Sequence, residues 1–161
     1  EISYEGFGPH GVAIMIEVMT DNKNRTVAEI RHLMTKYGGN LGENGSVSWM
    51  FERLGQIVIH DDTSEEDTLL EDILEVGAND FTKIESNYLI STDPTLSADV
   101  SEKLDKKGYN IISSSVEMVP KDVIEVEDST SSRLIDLIEN LEDHDDIQKI
   151  ASNFEIVNRK D

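Results

Sequence analysis

Residues 21–51, DNKNRTVAEIRHLMTKYGGNLGENGSVSWMF, constrain the fold more than any other stretch, because both ends of a helix are written into them. Thr26 and Glu29 stand at the T-x-x-E spacing of a capping box, in which each side chain serves a backbone N–H that the helix leaves unpaired. Val27, Ile30, Leu33, Met34 and Tyr37 recur at helical spacing, so one face is expected to be buried. Gly38-Gly39 then stops the helix, since glycine enters the left-handed region without steric cost. Residues 12–20 before it read as an apolar strand. Residues 46–51 after it read as a shorter one, with Val47, Trp49 and Phe51 pointing inward. The pattern predicts a β-α-β unit.

The flanking chain extends this unit. Residues 2–6 read as a short strand, and Gly6, Gly8 and Pro9 as a bend. Along 12–20 both faces are apolar except at Glu17, the mark of a central strand. From residue 56 a second pattern begins: a strand at 56–60, and a helix at 65–76 with Leu69, Leu70, Ile73 and Leu74 expected inside. Strands at 80–85 and 88–92 follow, tightly joined. A helix capped by Asp93 with Pro94 at its first position carries Leu96, Val100 and Leu104, and a strand runs over 109–119. That order is β-α-β-β-α-β, the ferredoxin-like arrangement. Beyond Pro120 come a strand at 123–126, a helix capped by Asp128 or Ser129 with Leu134, Ile135, Leu137, Ile138 and Leu141, and a last strand at 147–157. The expected fold class is α+β, two ferredoxin-like α/β sandwich domains with one inserted into the other. Residues 1–50 and 120–161 form the discontinuous domain, and 51–119 the inserted one.

Charge narrows the function classes. The chain holds 34 Asp/Glu against 14 Lys/Arg, a net charge of −20. Residues 1–50 contribute four Lys/Arg and six Asp/Glu, and residues 51–161 ten and twenty-eight. Nucleic-acid affinity rests largely on Lys/Arg displacing counterions from phosphates, so this surface as a whole repels DNA and RNA. The local exception is 21–36, where Lys23, Arg25, Arg31 and Lys36 outnumber Asp21 and Glu29. Cysteine is absent, which removes disulfides, thiolate nucleophiles and cysteine-ligated zinc together. No run of about 18 apolar residues occurs, so no membrane partner is expected. No basic-then-apolar leader opens the chain, and the expected location is the cytoplasm.

Candidate chemistry is sparse. The run Glu142-Asp143-His144-Asp145-Asp146 lacks the alternating ligands and glycine of a calcium loop and reads as a solvated turn. His60-Asp61-Asp62 reads the same way. His10, His32, His60 and His144 show no metal spacing. No Ser-His-Asp elbow, phosphate-binding loop or H-E-x-x-H stands in the chain, so an enzyme, a metal or a cofactor is not expected. Gly39 and Asn40 follow a helix C-terminus, whereas a phosphate loop precedes an N-terminus. Three helices end alike, at Gly38, Gly77 and Gly108, each before a strand. The polar face of the first helix remains. Arg25, Glu29, His32 and Lys36 fall at i, i+4, i+7 and i+11. Arg25, at the mouth of the helix, is a planar donor suited to a phosphate. Lys23, Arg25, Arg31, His32 and Lys36 are therefore the candidate contacts to nucleic acid or a partner, the alternative being an ordinary solvated face in which Glu29 pairs with Arg25 or Lys36.

The string YEGFGPHG, followed by TDNKNRTVAEIRH and GGNLGENGSVSWMF, closely resembles the YebC family. That family is also called the translational activator of cytochrome c oxidase subunit one, or probable transcriptional regulatory, family. The resemblance continues more loosely through EVGAND, SSVEMVP and LIENLEDHDDIQKI. It implies two α/β domains, one inserted in the other. It also implies a cytoplasmic regulator of gene expression that contacts nucleic acid, either as a DNA-binding transcriptional regulator or as a ribosome-associated translation factor. The chain opens without an initiator Met, inside what reads as a strand. The resemblance implies that a Lys/Arg-rich helical domain precedes this point and makes most of the nucleic-acid contact, with ribosomal or protein partners as further possibilities. A small-molecule sensor is a third expectation, from fold analogy alone.

Overall fold

The computed structural model describes residues 2–61 and 65–158, and these form two compact units. One contains the described residues up to Glu52 and from Val119 onward; the other is Arg53–Met118.

In the first unit, β1 (Ile2–Phe7) and β2 (Ala13–Val18) form an antiparallel hairpin registered from Ile2 opposite Val18 to Phe7 opposite Ala13. Helix α1 (Lys23–Lys36) leads to a two-residue strand, β3 (Asn40–Leu41), on the far edge of β1. Helix α4 (Ser132–Glu142) leads to β9 (Ile147–Ser152) on the far edge of β2, completing the order β3-β1-β2-β9. As the two-faced apolar pattern predicts, β2 is central. Its Ile14, Ile16 and Val18 meet Ile30 and Met34 of α1 and Leu134, Leu137 and Leu141 of α4 in one core, all fully buried. Each such side chain contributes roughly 1.5–3 kcal/mol. Strands β8 (Ile124–Glu127) and β10 (Phe154–Val157) form a separate parallel pair.

Local structure departs from the expected pattern in four places. The N-cap of α1 is Asn22, whose Oδ1 accepts the Arg25 N–H at 3.1 Å. Asparagine is among the best caps, and this places Thr26 inside the first turn and buries it, so no capping box with Glu29 forms. Residues 46–51 are not a strand: Ser48–Met50 make a 3₁₀ turn, and the next strand starts at Phe51. The cause is Glu5 on β1, whose carboxylate accepts N–H groups from Gly45 (2.8 Å), Val47 (3.0 Å) and Ser48 (2.7 Å). Consecutive N–H groups in a strand point to opposite sides, so Val47 and Ser48 cannot both serve one carboxylate unless the backbone turns. Trp49 therefore faces outward, 65% exposed, while Val47 and Phe51 are buried. The predicted strand at 147–157 breaks at Asn153 into β9 and β10, which belong to different sheets. Finally, α4 is preceded by a 3₁₀ turn (Asp128–Thr130), and its N-terminus at Ser131 has no side-chain cap from Asp128 or Ser129.

The second unit is built from β4 (Phe51–His60), α2 (Glu66–Val76), β5 (Asp80–Ile84), β6 (Asn87–Thr92), α3 (Ser97–Lys106) and β7 (Ile111–Pro120), the first two residues of β4 and the last two of β7 belonging to the first unit. Its sheet order, β5-β6-β4-β7, is the ferredoxin-like one. Ile57, Ile59 and Ile90 of the sheet pack on Leu69, Ile73 and Val76 of α2 and on Val100 and Leu104 of α3. Leu70, Leu74 and Leu96, expected inside, are exposed. The inner stripe of α2 is i, i+4, i+7 from Leu69, and Leu70 and Leu74 lie one step round the helix from it. Asp93 caps as predicted, Oδ1 accepting the Thr95 N–H at 2.9 Å, within a 3₁₀ turn that precedes α3. Gly38, Gly77 and Gly108 take left-handed φ of 87°, 92° and 99° after α1, α2 and α3. Among the described residues no helix is long and apolar enough to cross a membrane.

Candidate nucleic-acid interface

The five predicted contact residues all lie on α1, but the helix does not gather them into one patch. Arg25, Glu29, His32 and Lys36 share the outer stripe. At 3.6 residues per turn Arg31 falls on the other flank, and Lys23 opens the first turn above the buried face. Lys36 Nζ sits 5.4 Å from the centre of the Tyr37 ring. Lys23, Arg31 and His32 are exposed and have no ion pair among the described residues.

Arg25 differs from the expected anion contact. Its guanidinium donates to Asp146 Oδ2 at 2.9 Å and lies 3.7 Å from Glu29. Asp146 also accepts the Thr26 hydroxyl at 2.8 Å, and Thr26 is fully buried. The Thr26 hydrogen bond, followed by the one from Arg25, holds the Asp146 carboxyl below the usual aspartate range. The hydrogen bond to Asp146 in turn raises the Arg25 guanidinium. His144 completes the arrangement. Its Nδ1 accepts the Asp146 N–H at 3.1 Å, which leaves Nε2 to donate to Glu29 Oε2 at 2.5 Å. The run 142–146 is thus tied to the first turns of α1 and is not a merely solvated turn.

This reverses the electrostatics expected at the helix mouth. A cavity of about 450 Å³ opens there, lined by Arg25, Glu29, Asp143, His144, Asp145 and Asp146. Four carboxylates and one already-paired guanidinium repel a phosphate, so Arg25 serves the fold here. Among the described residues no three His, Asp or Glu side chains are placed to hold a metal ion. Of the second acidic run, Asp61 pairs with Lys83 at 3.2 Å, and Asp62 lies outside the described residues. No spacing rule ties residues 25 and 26 to 146, so the sequence carried no signal for this cluster. Nor did any motif mark Glu5, whose carboxylate orders the loop before Trp49.

A family model described as "TACO1/YebC second and third domain" matches residues 1–154. A protein of Syntrophus aciditrophicus named "Probable transcriptional regulatory protein" is 49% identical over 156 residues, covering 97% of this chain and 62% of that protein. One of the same name from Dictyoglomus turgidum is 48% identical over 157 residues, covering 97% and 63%. The crystal structure of a conserved hypothetical protein from Aquifex aeolicus superposes with a TM-score of 0.85 at 41% identity, covering 99% of this chain and 66% of that one. The chain thus spans under two thirds of the length of these curated relatives. The helix stretch and the loop before Trp49 lie within the match over residues 1–154, and the chain belongs to the TACO1/YebC family.

Proposed function

We propose that this chain is the acidic body of a regulator of gene expression that contacts nucleic acid, a DNA-binding transcriptional regulator working in the cytoplasm without enzymatic activity. The names of its relatives support the regulatory role. The observation that carries the contact is electrostatic. In a chain with 34 Asp/Glu, Lys23 and Arg31 stay out of ion pairs among the described residues, and the Lys36 ammonium lies over the Tyr37 ring without a carboxylate partner among them. Cations left unneutralised among so many carboxylates remain available to phosphate. They are too few to hold a duplex alone, so the bulk of the positive charge belongs to another part of the intact protein.

A second reading, a ribosome-associated translation factor, is favoured by the family description, which names the translational activator beside YebC. Crosslinking the intact protein in cells and sequencing the attached nucleic acid separates the two. Promoter DNA is the expected outcome for the first and ribosomal RNA for the second. Recovery of neither would overturn both.

A further inference from the structure

The first unit carries a second cavity, a groove of about 410 Å³ lined by Trp49, Met50, Lys121, Asp122, Ile124 and Asn153. Three features set it apart from an ordinary surface cleft. The Trp49 ring is 65% exposed yet held in place, because its Nε1–H donates to Ser46 O at 3.1 Å and the backbone on either side is tied down. Glu5 fixes Val47 and Ser48, and the Lys121 N–H donates to Met50 O at 2.9 Å. Exposing a large aromatic face while immobilising it sacrifices burial without gaining freedom, which is the economy of a binding platform.

The floor supplies the second feature. Asn153 is only 6% exposed. Its Oδ1 accepts the Ala13 N–H at 2.8 Å and its backbone carbonyl accepts the Ile124 N–H at 2.7 Å. The bond from Ala13 settles which amide atom is oxygen; the Nδ2 donors have no protein partner among the described residues, and Asn153 lines the groove. Nδ2 is not cut off from solvent, so its two N–H groups are open to an incoming acceptor, and at this position the amide can only donate. The third feature is Lys121 at the rim, exposed and without an ion pair among the described residues.

We propose that this groove takes one splayed-out base of a single-stranded nucleic acid. The base stacks on Trp49, a keto oxygen of the base accepts from Asn153 Nδ2, and the adjoining phosphate meets Lys121. Stacking on aromatic side chains and hydrogen bonds to base edges are how unpaired strands are read. The net charge of −20 makes tracking along a phosphate backbone unfavourable, so affinity has to come from the base, with Asp122 at the rim keeping it modest. Bases with keto oxygens, above all thymine and uracil, which carry two, are preferred over adenine, which has none. A duplex, whose bases are stacked and paired, is excluded. The inference rests on the proposed function for the source of the strand and goes further by naming its form.

Trp49 is the sole tryptophan, so its fluorescence reports the groove directly. The full 161-residue chain is titrated with a twelve-nucleotide oligouridine, oligoadenosine of the same length, a blunt duplex and a base-free sugar-phosphate chain. Saturable quenching by oligouridine is expected, weaker quenching by oligoadenosine, and none by the duplex or the base-free chain. With end-labelled oligouridine read by anisotropy, Trp49→Ala and Asn153→Asp should each weaken binding about tenfold or more, and Trp49→Phe should retain part of it. Asn153→Asp keeps the acceptor for Ala13 and replaces only the donors. Circular dichroism confirms that each variant is folded, and Trp49→Phe keeps the test decisive if Asn153→Asp is not. Unchanged Trp49 fluorescence up to millimolar oligouridine would overturn the proposal, as would binding that Trp49→Ala leaves intact. Saturable quenching by a lysine-flanked leucine peptide in place of oligouridine would assign the groove to a protein segment and overturn it too. If the intact protein crosslinks nucleic acid in cells while oligouridine leaves Trp49 unmoved, only the base site falls. If the quenching occurs and crosslinking fails, the site stands and the regulatory reading falls.

Discussion

The guanidinium of Arg25 and the carboxylate of Asp146 meet at 2.9 Å across 121 positions of sequence, pinning the start of α1 to the turn that follows α4. Because Thr26 donates to the same carboxylate oxygen from a fully buried position, Asp146 serves two donors of one helix turn. Asp146→Ala should therefore lower the melting temperature more than Arg25→Ala, which leaves the Thr26 bond in place. Thr26→Val should cost about 1.5–3 kcal/mol, the loss of a hydrogen bond to a charged acceptor. Thermal melts of the three variants check the ranking; an Arg25→Ala loss equal to that of Asp146→Ala would refute it.

Glu5 should be the most costly surface-loop anchor to remove. Burial by itself raises its carboxyl, but the N–H bonds from Gly45, Val47 and Ser48 together outweigh that and hold it below the usual glutamate range. A carboxylate lowered in the folded state contributes stability that is complete above its unfolded range and lost as pH falls through its folded value. Glu5→Ala should cost roughly 1–3 kcal/mol at neutral pH, since the buried Val47 N–H is left without an acceptor. The gap between wild type and Glu5→Gln should narrow on going from about pH 7 to pH 3. Denaturant unfolding across that range measures it, and a gap that widens toward acid contradicts the assignment.

The isolated chain should not retain duplex DNA usefully at physiological salt. Its charge of −20 and the scatter of Lys23, Arg31 and Lys36 over different sides of α1 leave no basic stripe. Filter binding with arbitrary duplex DNA checks this; submicromolar retention would show that a phosphate surface has been overlooked.

Residues 53–118 should fold when expressed alone. They hold a complete β-α-β-β-α-β set and a core of their own built on Ile57, Ile59, Leu69, Ile73, Ile90, Val100 and Leu104. A dispersed amide spectrum with a cooperative melt is expected. A collapsed, broad spectrum would show that the unit depends on the rest of the chain.

What the sequence determined by itself is what depends on near neighbours. Ile30 and Met34 lie on the inner stripe of α1, the two-faced apolar run of β2 marks a central strand, and Gly38, Gly77 and Gly108 end helices because only a residue without Cβ takes those angles cheaply. The family, too, was legible from its strings. Tertiary structure decided whatever rests on a partner far along the chain. Glu5 turns 46–50 away from strand and sends Trp49 outward, because one carboxylate 40 residues upstream collects the N–H of Gly45 with those of Val47 and Ser48. Asp146 converts Arg25 from an available cation into a fastener. Asn153 breaks the predicted strand at 147–157 in two by accepting the Ala13 N–H from 140 residues away. Periodicity reports which face of an element is buried. It carries nothing about which polar group across the fold will complete a hydrogen bond, and both the acidic cavity at α1 and the groove at Trp49 are made by such bonds.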